Sequence, residues 1–142
     1  MRRLHLIAIA AASFLLPLGT LADEPKDKKV DVSPLRELSA KGLKFQEGGK
    51  VTMPTVVKSA KELAKIMPDE ADQARVNKEV NWDKQFVLAF SWGGSGQDQV
   101  TSDITKGKDE IVFRHMPGKT RDFRMHTRLY VVRQGVTWKF EK

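Results

Sequence analysis

Basic side chains recur at every second position near the end of the chain. Arg124, His126 and Arg128 are each separated by one residue, and alternate residues of a β-strand lie on the same face. Guanidinium groups on a rigid face suit phosphate, sulfate or carboxylate, because each can donate a pair of parallel hydrogen bonds. Arg114 is expected beside them on a neighbouring strand, and Lys119 and Arg121 are expected in the adjoining loop. The candidate anion-binding set is therefore Arg114, Lys119, Arg121, Arg124 and Arg128.

Two interpretations of this basic set are open. The first is a binding face for an anionic envelope component or a protein partner. The second is a solvated outer face whose charges protect a strand from edge pairing. Nucleic acid is not expected, because single-strand binders interleave aromatic side chains with the cations and Tyr130 is the one aromatic residue on this face.

A glycine-rich segment is the second candidate. It follows an apolar run that ends at Trp92, and its predicted contact residues are Gly93, Gly94, Ser95, Gly96, Gln97 and Asp98. Glycines let a backbone approach an anion or another chain closely. The segment has neither the Gly-Lys-Ser/Thr of a Walker loop nor the second glycine of a nucleophile elbow. A partner-contacting loop and a simple hairpin turn are both compatible with it.

Histidines and carboxylates give a third candidate. His115 and His126 could combine with Asp98, Asp103 or Asp122 in a metal site or an acid–base pair. If the strands pair simply, however, the two histidines point to opposite sides, and no His-x-His spacing occurs. We therefore predict no catalytic residue, no metal and no other cofactor. A small hydrolase or metal-dependent enzyme that uses His115, His126 and Asp98 or Asp122 remains the alternative function.

The start of the chain has the pattern of a secretory signal peptide. Arg2 and Arg3 precede an apolar run over 6–16, and Ala22 provides a small residue at the cleavage point. The run is shorter than the roughly 20 residues that span a bilayer. We predict a signal peptide over 1–22, a flexible charged leader over 23–34 and a single β-rich domain over 35–142. The mature chain is then secreted or periplasmic, without a transmembrane segment.

Composition and charge exclude further classes of protein. The chain has 142 residues, of which 40% are apolar and 30% charged, and it contains no cysteine. Disulfides, thiolate metal sites and cysteine nucleophiles are thereby excluded. The formal net charge is +7, and residues 114–142 alone carry eight basic and two acidic side chains. The excess positive charge therefore lies in the last fifth of the chain.

The clearest helix signal begins at Ser59. Ser59 and Glu62 form a capping box, and apolar residues follow at helical spacing until Pro68 ends the helix. A second helix is predicted from its cap, Asp69, to about Glu79.

Alternating apolar residues predict the strands. The run over 85–92 is apolar on both faces and is therefore expected in the centre of a sheet. Further strands are predicted over 43–45, 55–58, 98–104 and 111–116, and a final hairpin turns at Gln134-Gly135. In the last long strand, Phe123 and Met125 are expected on the buried face. These elements predict an α+β fold, mainly an antiparallel sheet of five or six strands with one or two short helices.

Short segments of this chain resemble two groups of known proteins. The segment 59–63, followed by 80–85 and the apolar strand 86–90, resembles the C-terminal domain of the PrcB protease-complex-subunit family. Where that family carries Thr-Gly-Gly-Tyr, this chain has Gly-Gly-Ser-Gly-Gln. The segments 92–98 and 120–126 are similar to small exported bacterial proteins with no assigned activity. The resemblance implies an extracytoplasmic, non-catalytic β-domain. We therefore expect an exported binding or accessory domain.

Overall fold

The structure is a computed structural model that describes residues 33–44, 51, 53–105 and 109–141. The predicted signal peptide and nearly all of the predicted leader lie outside these residues. The elements, in chain order, are β1 (Leu35–Leu38), β2 (Thr55–Val57), α1 (Ala60–Ile66), α2 (Glu70–Glu79), β3 (Gln85–Ser95), β4 (Gln99–Thr105), β5 (Glu110–Met116), β6 (Phe123–Arg133) and β7 (Thr137–Glu141).

Both predicted helices are present, and their caps explain where they begin. The Ser59 hydroxyl accepts a hydrogen bond from the Glu62 amide at 3.3 Å, and the Glu62 carboxylate accepts one from the Lys58 amide. The Asp69 carboxylate accepts one from the Asp72 amide at 3.0 Å. The contacts to the Glu62 and Asp72 amides satisfy backbone donors that the first turn of a helix leaves without a partner, and the contact to Lys58 fixes the residue before the cap.

In the part of the chain that the structure describes, seven strands form two sheets, rather than the five or six strands of one sheet. The first sheet has the order β1-β6-β3-β2 and is antiparallel, and the second has the order β4-β5-β7. β7 runs parallel to β5, so the predicted hairpin of β6 with β7 is wrong. The turn at Gly135, whose φ is +84°, does exist, but it carries the chain from one sheet to the other. The predicted strand over 43–45 is also wrong for Leu43 and Lys44, and Phe45 lies outside the described residues.

The first sheet is covered on both faces, as the apolar pattern of β3 predicted. On one face, Val87 and Leu129 pack with Leu63 of α1 and Val76 of α2. On the other face, a second cluster joins the two sheets. Its members include Leu88, Phe90, Trp92, Phe113, Tyr130 and Val132. The fold is therefore α+β, with helices, a four-stranded sheet and a three-stranded sheet stacked in that order. Within the described residues, no helix is long and apolar enough to cross a membrane.

Tyr130 shows that one prediction about β6 is wrong. It lies on the face expected to be solvated, yet it is only 4% exposed because the second sheet covers that face. Its hydroxyl donates to the Val100 carbonyl oxygen at 3.4 Å. The Tyr130 pKa is raised to about 12, chiefly by burial and to a smaller extent by the Glu37 carboxylate, while Arg128 opposes both effects.

We expect the single tyrosine of the chain to ionise near pH 12 in the native protein and near its ordinary value of 10 after unfolding. Because folding favours the neutral phenol, its contribution to stability is complete below pH 10 and is lost as the pH rises to about 12. The loss should be about 3 kcal/mol. Absorbance titration of tyrosinate, with and without urea, measures both values. Native ionisation near the ordinary value would contradict the burial, and Tyr130→Phe should remove this part of the alkaline destabilisation.

Candidate functional site

Two crossing loops close one end of the stacked sheets. Residues 96–98 lead from β3 to β4, and residues 117–122 lead from β5 back to β6. The Ser95 and Thr120 hydroxyls lie 2.6 Å apart. The Gly96 amide donates to both the backbone and the side-chain oxygen of Asp122, each at 3.2 Å. We call this region, residues 94–98 and 116–125, the loop end.

Asp98 holds the two loops together from inside. Its side chain is buried; one carboxylate oxygen accepts the Gly118 amide at 2.7 Å, and the other lies 3.4 Å from His115 Nε2. A Cβ atom on Gly118 would lie 2.8 Å from the backbone carbon of Gln97, so the two loops approach as closely as glycine allows. The predicted glycine-rich turn is thus partly wrong: Gly93 and Gly94 belong to β3, and the turn lies over 96–97.

The Asp122 carboxylate forms hydrogen bonds on the outer, exposed side of the same loop junction. Its pKa is lowered chiefly by the hydrogen bond from Thr120, with smaller contributions from the Gly96 amide and Arg124. Desolvation partly opposes this effect. The ionised carboxylate is therefore the form that holds the outer loop in place.

Trp92 brings the two histidines together, contrary to the prediction that they point to opposite sides. Its ring stacks on His126 with centroids 4.9 Å apart and 15° between planes, and His115 approaches edge-on at 6.5 Å. His126 Nε2 donates to the Ser95 carbonyl at 2.8 Å. The histidines belong to different sheets whose inner faces meet. Period-two reasoning within one sheet could not anticipate this.

The arrangement favours a structural role for these groups. Both oxygens of Asp98 are engaged within the junction, and the Ser95 hydroxyl is paired with Thr120. In the described parts of the chain, no three His, Asp or Glu side chains are grouped so that they could hold a metal ion. The indole Nε1 of Trp92 is buried and, among these residues, has no hydrogen-bond partner.

The predicted basic residues do not share one face. Arg114 lies in the second sheet, where it contacts Asp103 and, at 2.9 Å, Glu141. Its predicted position beside Arg124 and Arg128 is therefore wrong. The Glu141 pKa is lowered by hydrogen bonds from Lys139 and Arg114, which identifies a local ion-pair network on that sheet.

The other four predicted cations lie in the first sheet or in the loop that leads into it. Arg124 pairs with Asp122 at 2.9 Å and Arg128 with Glu37 at 3.3 Å. Within the described residues, Lys119 and Arg121 are exposed and form no ion pair with a carboxylate. Arg124 and Arg128 also remain substantially exposed, and each recorded contact uses only the Nε donor of a guanidinium group that carries five N–H donors.

Sequence reasoning missed the apolar part of the loop end. Phe123 and Met125, which were expected on the buried face, are 70% and 65% exposed. They lie on the helix-side face of β6, beyond the reach of α1 and α2, and Met116 is exposed nearby in the chain at the end of β5. The alternation of β6 did indicate that these residues share a face, but not that the helices stop short of it.

A shallow concavity of about 300 Å³ joins the polar and apolar parts of the loop end. Its lining consists of Gly93, Gly94, Ser95, Thr120, Arg121, Asp122 and Phe123. The Phe123 ring lies directly on the backbone of Gly93, where an added Cβ would come within 2.5 Å of the ring. The structure thus brings the predicted glycine segment and one predicted cation into a single concave surface.

A second cleft, of about 570 Å³, lies between the β2 edge of the first sheet and β7 of the second. Phe86 and Trp138 line it together with Lys58 and Gln134. None of the candidate residues from the sequence lies in this cleft.

In comparisons with known proteins, no family model matches the chain, and neither a curated protein nor a solved structure matches it.

Proposed function

We propose that this protein is an exported, non-enzymatic binding domain whose loop end contacts an acidic segment of a partner protein. The observation that carries the proposal is the combination on one strand of two exposed apolar side chains, Phe123 and Met125, with two exposed arginines, Arg124 and Arg128. Large exposed apolar side chains that lie together are typical of protein-contact surfaces.

Charge explains why the partner segment should be acidic. Lys119 and Arg121 stand at the rim of the loop end without carboxylate partners among the described residues. The carboxylates nearby are already engaged, since Asp98 is buried in the loop junction and Asp122 is bonded to Thr120, Gly96 and Arg124. An acidic segment would meet uncompensated positive charge here, which favours encounter with the correct partner.

The apolar side chains argue for a polypeptide rather than a small anion. A phosphate or sulfate would use the cations but would leave Phe123 and Met125 in water. A peptide with both carboxylates and apolar side chains would satisfy both parts of the surface. The engagement of Asp98 and Asp122 in the loop junction gives the hydrolase alternative less support than the binding function.

A random copolymer of glutamate and tyrosine is a suitable first probe. We expect the mature protein to bind it, to bind it more tightly than poly-glutamate, and to lose affinity as salt rises. Lys119→Glu with Arg121→Glu should weaken binding at least about fivefold, since two favourable charge contacts become repulsive. Fluorescence anisotropy of the labelled copolymer measures these affinities.

Lys61→Glu with Lys65→Glu is the matched control, because it makes the same change of net charge on exposed residues of α1. The control should bind as the wild type does. An equal loss of copolymer affinity in both variants would mean that binding depends only on the net charge of the protein. Absence of copolymer binding would contradict the proposed function. Binding of heparin with the same affinity as the copolymer would contradict it as well.

A further inference from the structure

β6 extends beyond β1, which is one of its two neighbouring strands. It runs from Phe123 to Arg133, but β1 pairs only with residues 129–132. On its other side, β3 pairs with the whole of β6. Over residues 123–128, therefore, one edge of β6 has no neighbouring strand among the residues that the structure describes. Exposed edges of this kind can pair with a strand from another chain.

The backbone hydrogen bonds at the two ends of β6 show which residues face this open edge. The Arg133 amide donates to the Pro34 carbonyl, on the β1 side, at 3.2 Å. The Asp122 carbonyl accepts from the Gly96 amide, on the β3 side. Because successive residues of a strand direct their backbone groups to opposite sides, the odd-numbered residues face the β1 side. The amides and carbonyls of Phe123, Met125 and Thr127 are thus directed to the open edge.

β1 shows what kind of strand this edge accepts. Its Leu38 lies opposite Leu129 on the helix-side face, and its Glu37 places a carboxylate 3.3 Å from Arg128 on the other face. At the end of β1 nearest the open edge, one apolar and one acidic side chain thus lie on opposite faces. The two faces of β6 continue this division, with Phe123 and Met125 on the helix-side face and Arg124 on the face of Arg128.

We infer that the partner segment binds as an additional antiparallel strand along residues 123–128 of β6, with apolar and acidic side chains at alternate positions. Its apolar residues would cover Phe123 and Met125, and its carboxylates would contact Arg124 and Arg128. The added backbone would pair with the outward groups of Phe123, Met125 and Thr127. This inference rests on the proposed function and specifies how the same surface would recognise its partner.

Strand addition explains two features that a solvated edge would not need. An edge strand is usually protected by charge, proline or brevity; this one carries Arg124 and Arg128 on one face of its open part but presents two large apolar side chains on the other. The Phe123 ring is also held against Gly93, so that part of the apolar face is formed before a partner arrives. A preformed surface lowers the entropy cost of binding.

Synthetic peptides of fixed composition test the binding mode. One peptide alternates leucine and glutamate, and a second has the same composition with the leucines and glutamates in separate blocks. We expect the alternating peptide to bind at least about tenfold more tightly, because only it places apolar and acidic side chains on opposite faces of a strand. Anisotropy of the labelled peptides gives both dissociation constants.

Met125→Pro is the decisive variant, since it removes an outward amide and leaves the pairing with β3 intact. It should lower the affinity for the alternating peptide at least about tenfold. Phe123→Ser with Met125→Ser, which leaves the backbone unchanged, should also weaken binding and covers the case in which the proline variant does not fold. Urea unfolding of each variant identifies any loss of folding.

The two levels of the proposal fail in different ways. Binding of the Glu-Tyr copolymer without a preference for the alternating peptide, or with full affinity in folded Met125→Pro, would overturn strand addition and leave the proposed function standing. Failure of both the copolymer and the peptides would overturn both. A stable dimer of the free protein that Met125→Pro dissociates would show that a second copy occupies the edge, and would likewise overturn the inference.

Discussion

Replacing Trp92 with alanine should destabilise the protein by about 3–5 kcal/mol, the usual cost of removing a large aromatic side chain from a core. Trp92 is 1% exposed and lies where the two sheets meet beneath the loop end. Its loss would remove the ring on which His126 stacks and the edge-on contact of His115. Because a domain of this kind is stable by only about 5–15 kcal/mol, the effect should be large.

Urea unfolding of wild type and variant measures this loss. Trp92→Phe is the matched control, because it retains an aromatic ring against His126 and loses only the smaller ring of the indole, whose N–H has no partner among the described residues. We expect it to cost less than about 2 kcal/mol. A cost below about 1 kcal/mol for the alanine variant would mean that the loop end is not packed on Trp92 as the structure describes.

Exchanging both edge arginines, Arg124→Glu with Arg128→Glu, should reverse the charge preference of the binding surface. The affinity for the alternating leucine–glutamate peptide should fall at least about tenfold, which corresponds to about 1.4 kcal/mol. Two exposed ion pairs supply part of this change, and the repulsion between like charges on adjacent strands supplies the rest. An alternating leucine–lysine peptide, which the wild type should bind weakly, should gain affinity for the variant.

Peptide anisotropy at low and high salt measures both affinities. The change also places one glutamate beside Glu37 and another beside Asp122, so the stability of the variant should be measured in parallel; the expected cost is below about 2 kcal/mol for two exposed pairs. Lys61→Glu with Lys65→Glu again controls for net charge. Unchanged preference in the arginine variant would contradict a role for these side chains in recognition.

Local sequence patterns predicted those features of the fold that depend on one helix, strand or turn alone. The capping box at Ser59 placed the start of α1, because both partners lie within one turn. The two apolar faces of β3 placed it between two layers, because solvent cannot reach either face. The turn at Gly135 was also predicted, since glycine readily adopts the positive φ that this turn requires.

Relations between elements could not be derived from the same patterns. Alternation shows which residues of β5 or β6 share a face, but not that the two strands belong to different sheets. That is why Arg114 was expected beside Arg124, and why the two histidines were expected to diverge rather than to enclose Trp92. The exposure of Met125 depends on where the helices end over the sheet, which is also a tertiary property.

Amide hydrogen exchange along β6 is the most direct test of the open edge. In the free protein, we expect the outward amides of Phe123, Met125 and Thr127 to exchange rapidly, and the amides of Arg124 and His126, which face β3, to exchange slowly. Saturation with the alternating leucine–glutamate peptide should slow the three outward amides selectively. Slow exchange of these amides in the free protein, or no change when the peptide is bound, would contradict the account.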